Sequence, residues 1–332
     1  MFSRRSFAKP LLTWGRVAGR TLPWMTKDPY DVWLSEVMLQ QTQVATILTK
    51  FPAFKARFPT LAALAASSVA DVLAEWSGLG YYRRARNLHA CARQLQDYVQ
   101  AHGGYPKDPE VWASFPGIGK STSHAIVSAC FGVVVPILDA NARRVLLRFA
   151  GEPEATPKQA WAHAYVAMKG ISSAEAPSYT QAIMDLGATV CTAKKPKCAG
   201  CPVQSSCGYT AAPVDAVPKV MKKQPKPVVH LDWALLYDAQ ERVAMVQNDE
   251  LSIWPGLWRL PLLSELALVS EQATLTRSFT HTLSHRTLSI HVWELSAEVT
   301  IPTRSPVVWV RKQDIELKNV ATPTPVRNIL RS

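Results

Sequence analysis

The sequence of 332 residues lacks an apolar run long enough to cross a membrane. Its longest apolar stretch, residues 125–138, is interrupted by Gly132 and Pro136 and ends at Asp139. A spanning helix requires ~18 consecutive apolar residues. The sequence therefore predicts no transmembrane segment and no membrane partner, and its length suffices for two domains with sizeable cores.

Acidic residues are scarce relative to basic ones. The chain has 25 Asp and Glu against 37 Lys and Arg, which gives a formal net charge of +12 and a sequence pI of about 9.5. A basic surface of this kind favours a polyanionic partner, and nucleic acid is a better candidate than a membrane.

The N-terminal segment has no acidic residue before Asp28. This composition resembles a mitochondrial transit peptide, but an ordinary first helix accounts for it as well, and we favour the helix. Its apolar face would hold Leu11, Leu12, Trp14 and Val17.

Cysteine is also scarce, yet four of the six cysteines form one group: Cys191, Cys198, Cys201 and Cys207. Their spacing is C-x6-C-x2-C-x5-C. Thiolates are soft ligands, so the group predicts an iron–sulfur cluster or a zinc ion. Zinc sets usually pair two short C-x2-C units, and disulfides are rare in chains without a secretory signal. The spacing favours an iron–sulfur cluster and leaves zinc open.

The hydrophobic periodicity changes along the chain. Helical periodicity runs through residues 30–49, 60–75, 84–101, 121–131, 140–149, 158–168 and 178–190. Residues 213–227 are rich in Pro and Lys, which predicts a stiff basic linker that either follows a phosphate backbone or is a solvated tether. Strand composition then runs through residues 228–237, 242–247, 287–296 and 307–310. We expect a helix near 264–273, a mainly α domain over 1–212 and an α+β or α/β domain over 228–332.

A turn with the sequence FPGIGK separates two helical stretches at residues 115–120. Pro116 should end the first helix, the two glycines allow a tight hairpin, and one of the hydroxyl side chains at 121–123 can cap the second helix. Free amides beside a helix N-terminus bind a phosphate without reading sequence. This helix–hairpin–helix pattern predicts contacts to a DNA backbone from Gly117, Gly119, Lys120 and Ser121.

Two acidic residues stand where chemistry is plausible. Asp139 precedes the helical stretch ANARRVLLRF and has the position of a helix N-cap, which by itself is an ordinary structural role. Glu36 lies between Trp33 and Leu39 on a predicted helix, so partly apolar surroundings should raise its pKa, as a general acid requires. The alternative for Glu36 is a solvated helical side chain. Gln40 should share its helical face and could hydrogen-bond a base edge.

Seven segments, in order and in spacing, resemble the MutY family of adenine DNA glycosylases within the helix–hairpin–helix, endonuclease III-like superfamily. They are LPW (22–24), VWLSEVMLQQTQV (32–44), GLGYYRRARNLH (78–89), FPGIGKSTSHAI (115–126), PILDANARRVL (136–146), MDLGATVC (184–191) and the four-cysteine loop. The resemblance covers residues 6–210 and, more weakly, the C-terminal domain. It implies base-excision repair of double-stranded DNA, with removal of adenine mispaired with 8-oxoguanine or G.

The resemblance also implies the fold class. A mainly α helix–hairpin–helix glycosylase domain (1–212) would consist of a six-helix barrel lobe (27–133) and an iron–sulfur lobe (1–26 with 134–212) that holds a [4Fe–4S] cluster. An α/β MutT-like (Nudix-type) domain over 228–332 would recognise 8-oxoguanine. The cluster would fold the basic loop at 192–197 so that its lysines face phosphates.

Roles for individual residues follow from the resemblance as well. Glu36 would protonate adenine, Asp139 would stabilise an oxocarbenium-like sugar, and Asn141 would assist Asp139, in a chemistry like glycoside hydrolysis. Trp24 and Asp185 match the adenine pocket. The residues that match the wedge inserted into the base stack, with their neighbours, are Gln40, Gln41, Thr42 and Tyr81.

Two positions separate related activities. Endonuclease III-like relatives carry a lysine after the hairpin that attacks the sugar and cleaves the strand; the match puts Ser121 there, with Lys120 adjacent. We therefore expect a monofunctional glycosylase without efficient lyase activity. In the C-terminal domain, SELALVSEQATL is too poor in Glu to hold Mg²⁺, which argues against Nudix hydrolysis.

The loop that recognises 8-oxoguanine is matched by FTHTLSHRTL (279–288). The Phe-Ser-His element expected there is Leu283-Ser284-His285 in this chain. Leu283 can fill an apolar wedge but cannot stack as Phe does, whereas Ser284 keeps a hydroxyl for the lesion. Apart from the resemblance, His281 and His285 would be surface histidines on a hairpin.

Two other functions are compatible with parts of the pattern. One is an endonuclease III-like glycosylase/lyase for oxidised pyrimidines, which Ser121 and the C-terminal domain disfavour. The other is a non-enzymatic iron–sulfur redox sensor that binds DNA, which would need neither Glu36 nor Asp139. We expect a monomeric, cytoplasmic, nucleoid-associated bacterial enzyme.

Overall fold

The computed structural model describes residues 6–211, 225–249, 253–266, 273–295, 307–316 and 320–331. The chain forms two compact units. The first contains residues 1–65 and 87–221, and the second contains residues 66–86 and 222–332. Most of the predicted linker, residues 213–227, lies outside the described residues.

Residues 6–211 form eleven α-helices, which confirms the mainly α character expected of this domain. Their bounds are α1 Ala8–Ala18, α2 Pro29–Leu39, α3 Val44–Arg57, α4 Leu61–Ala66, α5 Val69–Glu75, α6 Arg83–His102, α7 Pro109–Ser114, α8 Lys120–Phe131, α9 Ala140–Ala150, α10 Pro157–Ala167 and α11 Ala176–Thr189. Three short 3₁₀ turns follow, at Cys198–Gly200, Gln204–Ser206 and Gly208–Ala211.

Two helices are interrupted where the sequence predicts continuity. The 30–49 stretch divides into α2 and α3 because Gln41 takes a left-handed conformation, with φ of 57°. The 60–75 stretch divides into α4 and α5 because Ser68 and Asp71 form a reciprocal capping box that starts a new helix. The periodicity also missed α7, which begins where Asp108 caps the Glu110 N–H at 2.8 Å.

The first helix forms as expected, with one exception. Leu11 and Leu12 are buried, and Trp14 packs against the same core. Val17 is 88% exposed, so its predicted place on the apolar face is wrong. That core joins residues 7–12 to apolar residues of α9, α10 and α11. The Phe7 ring meets the edge of Phe149 at a centroid distance of 4.8 Å.

The described part of the second unit contains two three-stranded sheets. The strands are β1 Val228–Leu235, β2 Val243–Gln247, β3 Trp258–Arg259, β4 Ala273–Thr282, β5 Thr287–Leu295 and β6 Val307–Val310, and the helices are α12 Lys312–Glu316 and α13 Thr324–Arg331. One sheet has the order β1-β5-β4, with β1 parallel and β4 antiparallel to β5; the other has the order β3-β2-β6 and is antiparallel. All four predicted strand runs are confirmed.

The helix expected near 264–273 falls mostly on residues 267–272, which lie outside the described residues. On either side of them, Leu263–Glu265 is a single 3₁₀ turn and Ala273 begins β4. From Ala273 to Thr282 the chain pairs with β5.

Within the described ranges, no helix has the length and apolarity needed to span a membrane.

Candidate active site

A cavity of about 410 Å³ lies in the first unit. Its wall includes residues that follow α1, one face of α2, part of α8 and one face of α11. Three residues expected in the site lie in this wall: Trp24, Glu36 and Asp185. The volume falls within the range of small-molecule sites, ~300–1,000 Å³, so the cavity can hold a group the size of a nucleobase.

Glu36 reaches this cavity from α2 and has apolar neighbours on its own helix. Trp33 and Val37 are buried. Burial raises the pKa of the Glu36 carboxyl to about 7, and the negative charge of Asp139 adds to this increase. The raised pKa expected from the sequence is therefore present, and about half of the carboxyl groups carry a proton near neutral pH.

Asp139 is the N-cap of α9, as its sequence position predicts. Its Oδ1 accepts a hydrogen bond from the Ala142 N–H at 2.7 Å. A helix N-terminus carries a partial positive charge that favours a carboxylate. The cap and the charge hold a negative group in a fixed orientation near Glu36.

Asp185 is completely buried and holds the cavity wall together. Its Oδ1 accepts from Arg20 Nε at 2.8 Å and from Gln181 Nε2 at 2.9 Å, while Oδ2 accepts from the Arg20 N–H at 3.1 Å. This ion pair fixes the segment after α1 against α11. Trp24 is buried beside Phe51, with ring centroids 5.6 Å apart. Sequence reasoning missed Arg20 and Gln181, because helical periodicity does not reveal which polar side chains bond to a buried carboxylate.

Backbone strain marks two of the residues expected to contact DNA. Among the described residues, only Gln41, Tyr81 and Glu241 combine a positive φ with a side chain. Gln41 has φ of 57° and Tyr81 has φ of 48°, and both are exposed. A left-handed non-glycine residue costs about 1–2 kcal/mol and is concentrated at functional sites.

Gln40 stands at the end of the helix that carries Glu36, and its φ of −57° is still helical whereas its ψ of 112° is not. Helix α2 ends at Leu39, and Gln40 is the C-cap residue. Thr42 closes the turn, since its N–H donates to the Leu39 carbonyl at 3.2 Å. The segment 40–42 is therefore a turn that projects from the end of α2.

The turn between α7 and α8 requires glycine at one position. Gly117 has φ of 79°, and a Cβ placed on it would stand 2.8 Å from Asn87 Cβ. Gly119 has φ of −93° and is the N-cap of α8, so no hydroxyl at 121–123 caps the helix, contrary to expectation. The amides of Gly117 and Gly119 donate no hydrogen bond within the described chain, and both residues are exposed.

Ser121 and Lys120 point to different partners. The Ser121 hydroxyl accepts the Leu138 N–H at 3.0 Å and so fixes the segment that leads into Asp139. The Lys120 ammonium lies over the Trp161 ring, 4.6 Å from its centroid, and 5.7 Å from that of Tyr165. Such cation–π contacts hold the Lys120 side chain against these two rings.

Helix α9 connects the catalytic end of the site to the cysteine loop. The Arg144 guanidinium donates to Asn141 Oδ1 at 2.9 Å, to the Gly187 carbonyl at 2.7 Å and to the Cys191 carbonyl at 2.9 Å. One turn further along the helix, Arg148 donates to the carbonyls of Thr192 and Ala193. Neither arginine was identified as a site residue from the sequence, although both lie in the segment ANARRVLLRF.

The four cysteines line one shared cavity of their own. Its wall is formed by Cys191, Cys198, Cys201 and Cys207 with Arg148, Tyr209 and neighbouring residues. Four thiols around a common space can hold an iron–sulfur cluster. Arg148 Nη1 lies 3.5 Å from Cys191 Sγ, where it stabilises thiolate charge.

In the second unit, residues 283–286 form the β4–β5 hairpin turn. The Leu283 N–H donates to the Arg286 carbonyl at 2.8 Å. Ser284 and His285 are exposed, and Ser284 Oγ lies 3.2 Å from His285 Nδ1. Both polar side chains are therefore at the surface; for His285 this agrees with the prediction of surface histidines on a hairpin, whereas His281 is half-buried.

Comparison with known families agrees with this geometry. Residues 34–167 match the HhH-GPD superfamily of base excision DNA repair proteins, residues 191–207 match the iron–sulfur binding domain of endonuclease III, and residues 232–332 match a NUDIX domain. A thermostable thymine-DNA glycosylase superposes with a TM-score of 0.55 at 25% identity, covering 61% of this chain and 94% of that one. The fold and the site thus define a helix–hairpin–helix DNA glycosylase of base excision repair with a [4Fe–4S] cluster, and the matched iron–sulfur domain spans the four cysteines.

Full-length relatives make the assignment more specific. An adenine DNA glycosylase of Buchnera aphidicola (subsp. Baizongia pistaciae) is 32% identical over 348 aligned positions, covering 98% of this chain and 95% of the relative. One of Mycobacterium tuberculosis (strain H37Rv) is 40% identical over 201 positions, covering 58% of this chain and 64% of the relative. The chain belongs to the adenine DNA glycosylase family.

Proposed function

We propose that this enzyme hydrolyses the N-glycosidic bond of adenine mispaired with 8-oxoguanine, and also with G, in double-stranded DNA. The observation that carries the proposal is Glu36, a carboxyl with a pKa of about 7 that faces a cavity of nucleobase size beside Asp139. An adenine leaving group needs a proton, and the sugar that it leaves needs a negative charge nearby.

The two carboxyl groups divide the work. Protonated Glu36 donates its proton to the ring nitrogen of adenine as the bond to the sugar breaks. Asp139, oriented by the hydrogen bond that it accepts from the Ala142 N–H, stabilises the positive sugar until water adds to it. Adenine must first leave the base stack, which is cheaper at a mispair than in a matched duplex.

Binding residues are assigned by the same logic. Gln41 and Tyr81, both exposed and left-handed, contact the base stack beside the lesion, while Trp24 lines the adenine cavity. The amides of Gly117 and Gly119 bind a backbone phosphate. The Leu283–His285 turn contacts 8-oxoguanine through the Ser284 hydroxyl.

The enzyme acts as a monofunctional glycosylase. Ser121 occupies the position where a lyase carries its lysine, and its hydroxyl is engaged by Leu138. The adjacent Lys120 side chain lies over the Trp161 ring, which holds its amine at that aromatic face. Borohydride should therefore trap no strong covalent adduct between the native enzyme and DNA, and efficient trapping would contradict this assignment.

We infer that the enzyme works as a monomer on the bacterial nucleoid in the cytoplasm, since a net charge of +12 favours a DNA-bound protein. Size-exclusion chromatography with light scattering tests the monomer, and imaging of a fluorescent fusion tests the location.

One experiment tests the activity against its alternatives. Duplexes that contain 8-oxoguanine·A, G·A or thymine glycol are incubated with enzyme and then treated with alkali. We expect alkali-dependent cleavage of the adenine strand in the first two duplexes only. Cleavage at thymine glycol without alkali would support an endonuclease III-like lyase, and binding without any cleavage would support a DNA-binding sensor.

Replacement of the proposed acid provides a sharper test. Glu36→Gln keeps the size of the side chain but removes its proton donor, so adenine release should fall by at least ~10²-fold while duplex binding is retained. Glu154→Gln changes an exposed glutamate in the same way and should retain native activity. Substantial residual activity in Glu36→Gln would contradict the role of Glu36 as the acid.

A further inference from the structure

The Tyr81 turn has a backbone conformation that requires support. Gly78 has φ of 90°, Gly80 has φ of 68° and Tyr81 has φ of 48°, so three of four consecutive residues are left-handed. The Tyr81 side chain is 46% exposed. A tyrosine in this region of φ persists only where its surroundings determine the backbone.

Part of that support comes from the turn itself. Trp76 Nε1 donates to the Gly80 carbonyl at 3.1 Å, and Arg84 Nη2 donates to the Leu79 carbonyl at 3.2 Å. The Arg84 guanidinium also lies 5.5 Å from the centroid of the Tyr81 ring. These contacts hold the carbonyls of the turn, but all of them arise within residues 76–84.

The remaining support comes from the C-terminal segment of the same unit. Tyr82, the residue after Tyr81, is buried, and its hydroxyl donates to the carbonyl of Thr322 at 3.2 Å. Arg86 Nη1 donates to the Pro255 carbonyl at 2.5 Å. Gly256 lies over α5, since a Cβ placed on it would stand 3.6 Å from Leu73 Cδ1.

We propose that the C-terminal segment positions Tyr81. The Thr322 carbonyl binds Tyr82, and the Pro255 carbonyl binds Arg86. These two bonds hold the left-handed turn that presents Tyr81 to DNA. Tyr82 and Arg86 are thus positioning residues for the reaction. The C-terminal domain then serves catalysis in two ways. Its 283–285 turn contacts the lesion, and its carbonyl groups position Tyr81, which lies in the N-terminal half of the sequence.

The first test needs no DNA and no activity. Tyr82→Phe removes only the hydroxyl that binds Thr322. In the full-length holoenzyme, hydrogen exchange should become about tenfold faster at the amides of Leu79 and Arg84, which bond to the carbonyls of Trp76 and Tyr81. Unchanged exchange at these amides would overturn the proposal.

The chain offers a matched control at Tyr30. Its hydroxyl donates to the buried Phe58 carbonyl at 2.7 Å, so Tyr30→Phe makes the same chemical change in the first unit. This variant should leave exchange in residues 76–84 at the native rate. If Tyr30→Phe and Tyr82→Phe accelerate exchange there equally, the effect is one of general stability and the proposal fails.

The second test asks whether Tyr82 acts through Tyr81, and it rests on the proposed function. Tyr82→Phe should weaken binding to an 8-oxoguanine·A duplex by roughly threefold to tenfold. In a Tyr81→Ala background the same change should have no further effect, because the side chain that it positions is gone. Equal losses in both backgrounds would contradict a positioning role.

The two tests separate failure of the proposal from failure of the function. If the native enzyme does not release adenine, the proposed function is wrong, whereas the exchange result still decides whether the C-terminal segment holds the turn. If adenine release is native and exchange in Tyr82→Phe is unchanged, the positioning proposal alone is wrong.

Discussion

The acidity of a single residue in the site depends more on its surroundings than on its residue type. Glu36 is one of many helical glutamates that a sequence can contain, but it faces a cavity beside a second carboxylate. Burial and the charge of Asp139 both disfavour its ionised form. A residue that is useful as an acid is therefore also a residue that destabilises the fold when it loses its proton.

This trade-off predicts a pH-dependent gain from Glu36→Gln. The native pKa of about 7 exceeds the ordinary value of 4.5, so the folded state binds this proton more tightly than the unfolded state. Stability is lost as the pH rises from about 4.5 to about 7 and stays lower above that. At pH 8 we expect Glu36→Gln to raise the free energy of unfolding by about 3 kcal/mol.

Urea denaturation at pH 8 and at pH 5 measures this effect. The gain should shrink at pH 5, where native Glu36 is almost entirely protonated, and Glu154→Gln should show no such pH dependence. A gain of the same size at both pH values would mean that the amide improves packing or hydrogen bonding and that the charge of Glu36 is not the cause.

Among the secondary-structure elements, α9 links more of the site than any other helix described. Asp139 caps its N-terminus, Asn141 lies in its first turn, and Arg144 and Arg148 follow on one face, four residues apart. Through Arg144 the helix is bonded to α11 and to the carbonyl of Cys191. A displacement of α9 against α11 should therefore move both Asp139 and the cysteine loop.

Gly187 controls the distance between these two helices. A Cβ placed on Gly187 would stand 2.7 Å from Asn141 Cβ and 3.3 Å from the Asn141 backbone carbon. Gly187→Ala should therefore lower the free energy of unfolding by about 1–3 kcal/mol. It should also reduce the single-turnover rate of adenine release, because α9 carries Asp139 and Asn141.

Gly104→Ala is the control for Gly187→Ala, since a Cβ placed on Gly104 meets no atom within 4 Å. It should change stability by no more than ~0.5 kcal/mol and leave the rate unchanged. A Gly187→Ala enzyme with native stability and a native rate would show that the two helices separate without consequence for the site.

At the scale of the whole molecule, part of the positive charge lies in the iron–sulfur loop. Lys194, Lys195 and Lys197 are exposed in the loop between Cys191 and Cys198. The backbone of that loop is fixed from inside by Arg148 and would be fixed from outside by cluster ligation. The loop can present its three charges to phosphates only while it keeps this shape.

Cys198→Ser should therefore lower iron content, stability and DNA affinity together. Cys198 is the exposed ligand of the four, so its replacement opens the cluster to solvent. Iron and sulfide assays, thermal unfolding and duplex binding at several salt concentrations provide the readouts. If the loop lysines no longer reach the DNA, the slope of log K against log salt should become shallower by about 0.9 for each phosphate left unneutralised.

Cys130→Ala removes a cysteine that lies outside the loop, on α8, and should keep native iron content and the native salt slope. A Cys198→Ser protein that has lost its iron but still folds and binds mispaired DNA as the native enzyme does would refute the structural role of the loop.

Much of this arrangement could be predicted from the sequence because it depends on local rules. Three of its features each depend on only a few neighbouring residues. They are the N-cap position of Asp139, the alternation in β5, and the spacing of Cys191, Cys198, Cys201 and Cys207. The apolar neighbours of Glu36 on its own helix likewise predict a raised pKa, which is present. Net charge requires no structure at all and already indicates a polyanionic partner.

The errors and omissions occur where distant parts of the chain meet. The Asp185 ion pair joins residues 165 positions apart in sequence, and the Tyr82 bond to Thr322 joins residues 240 positions apart. The sequence by itself determined which groups the protein has for its chemistry, since ligand type, charge and local caps are properties of short segments. Only the tertiary structure decided which of them face one cavity, because burial and long-range hydrogen bonds exist only once the chain has folded.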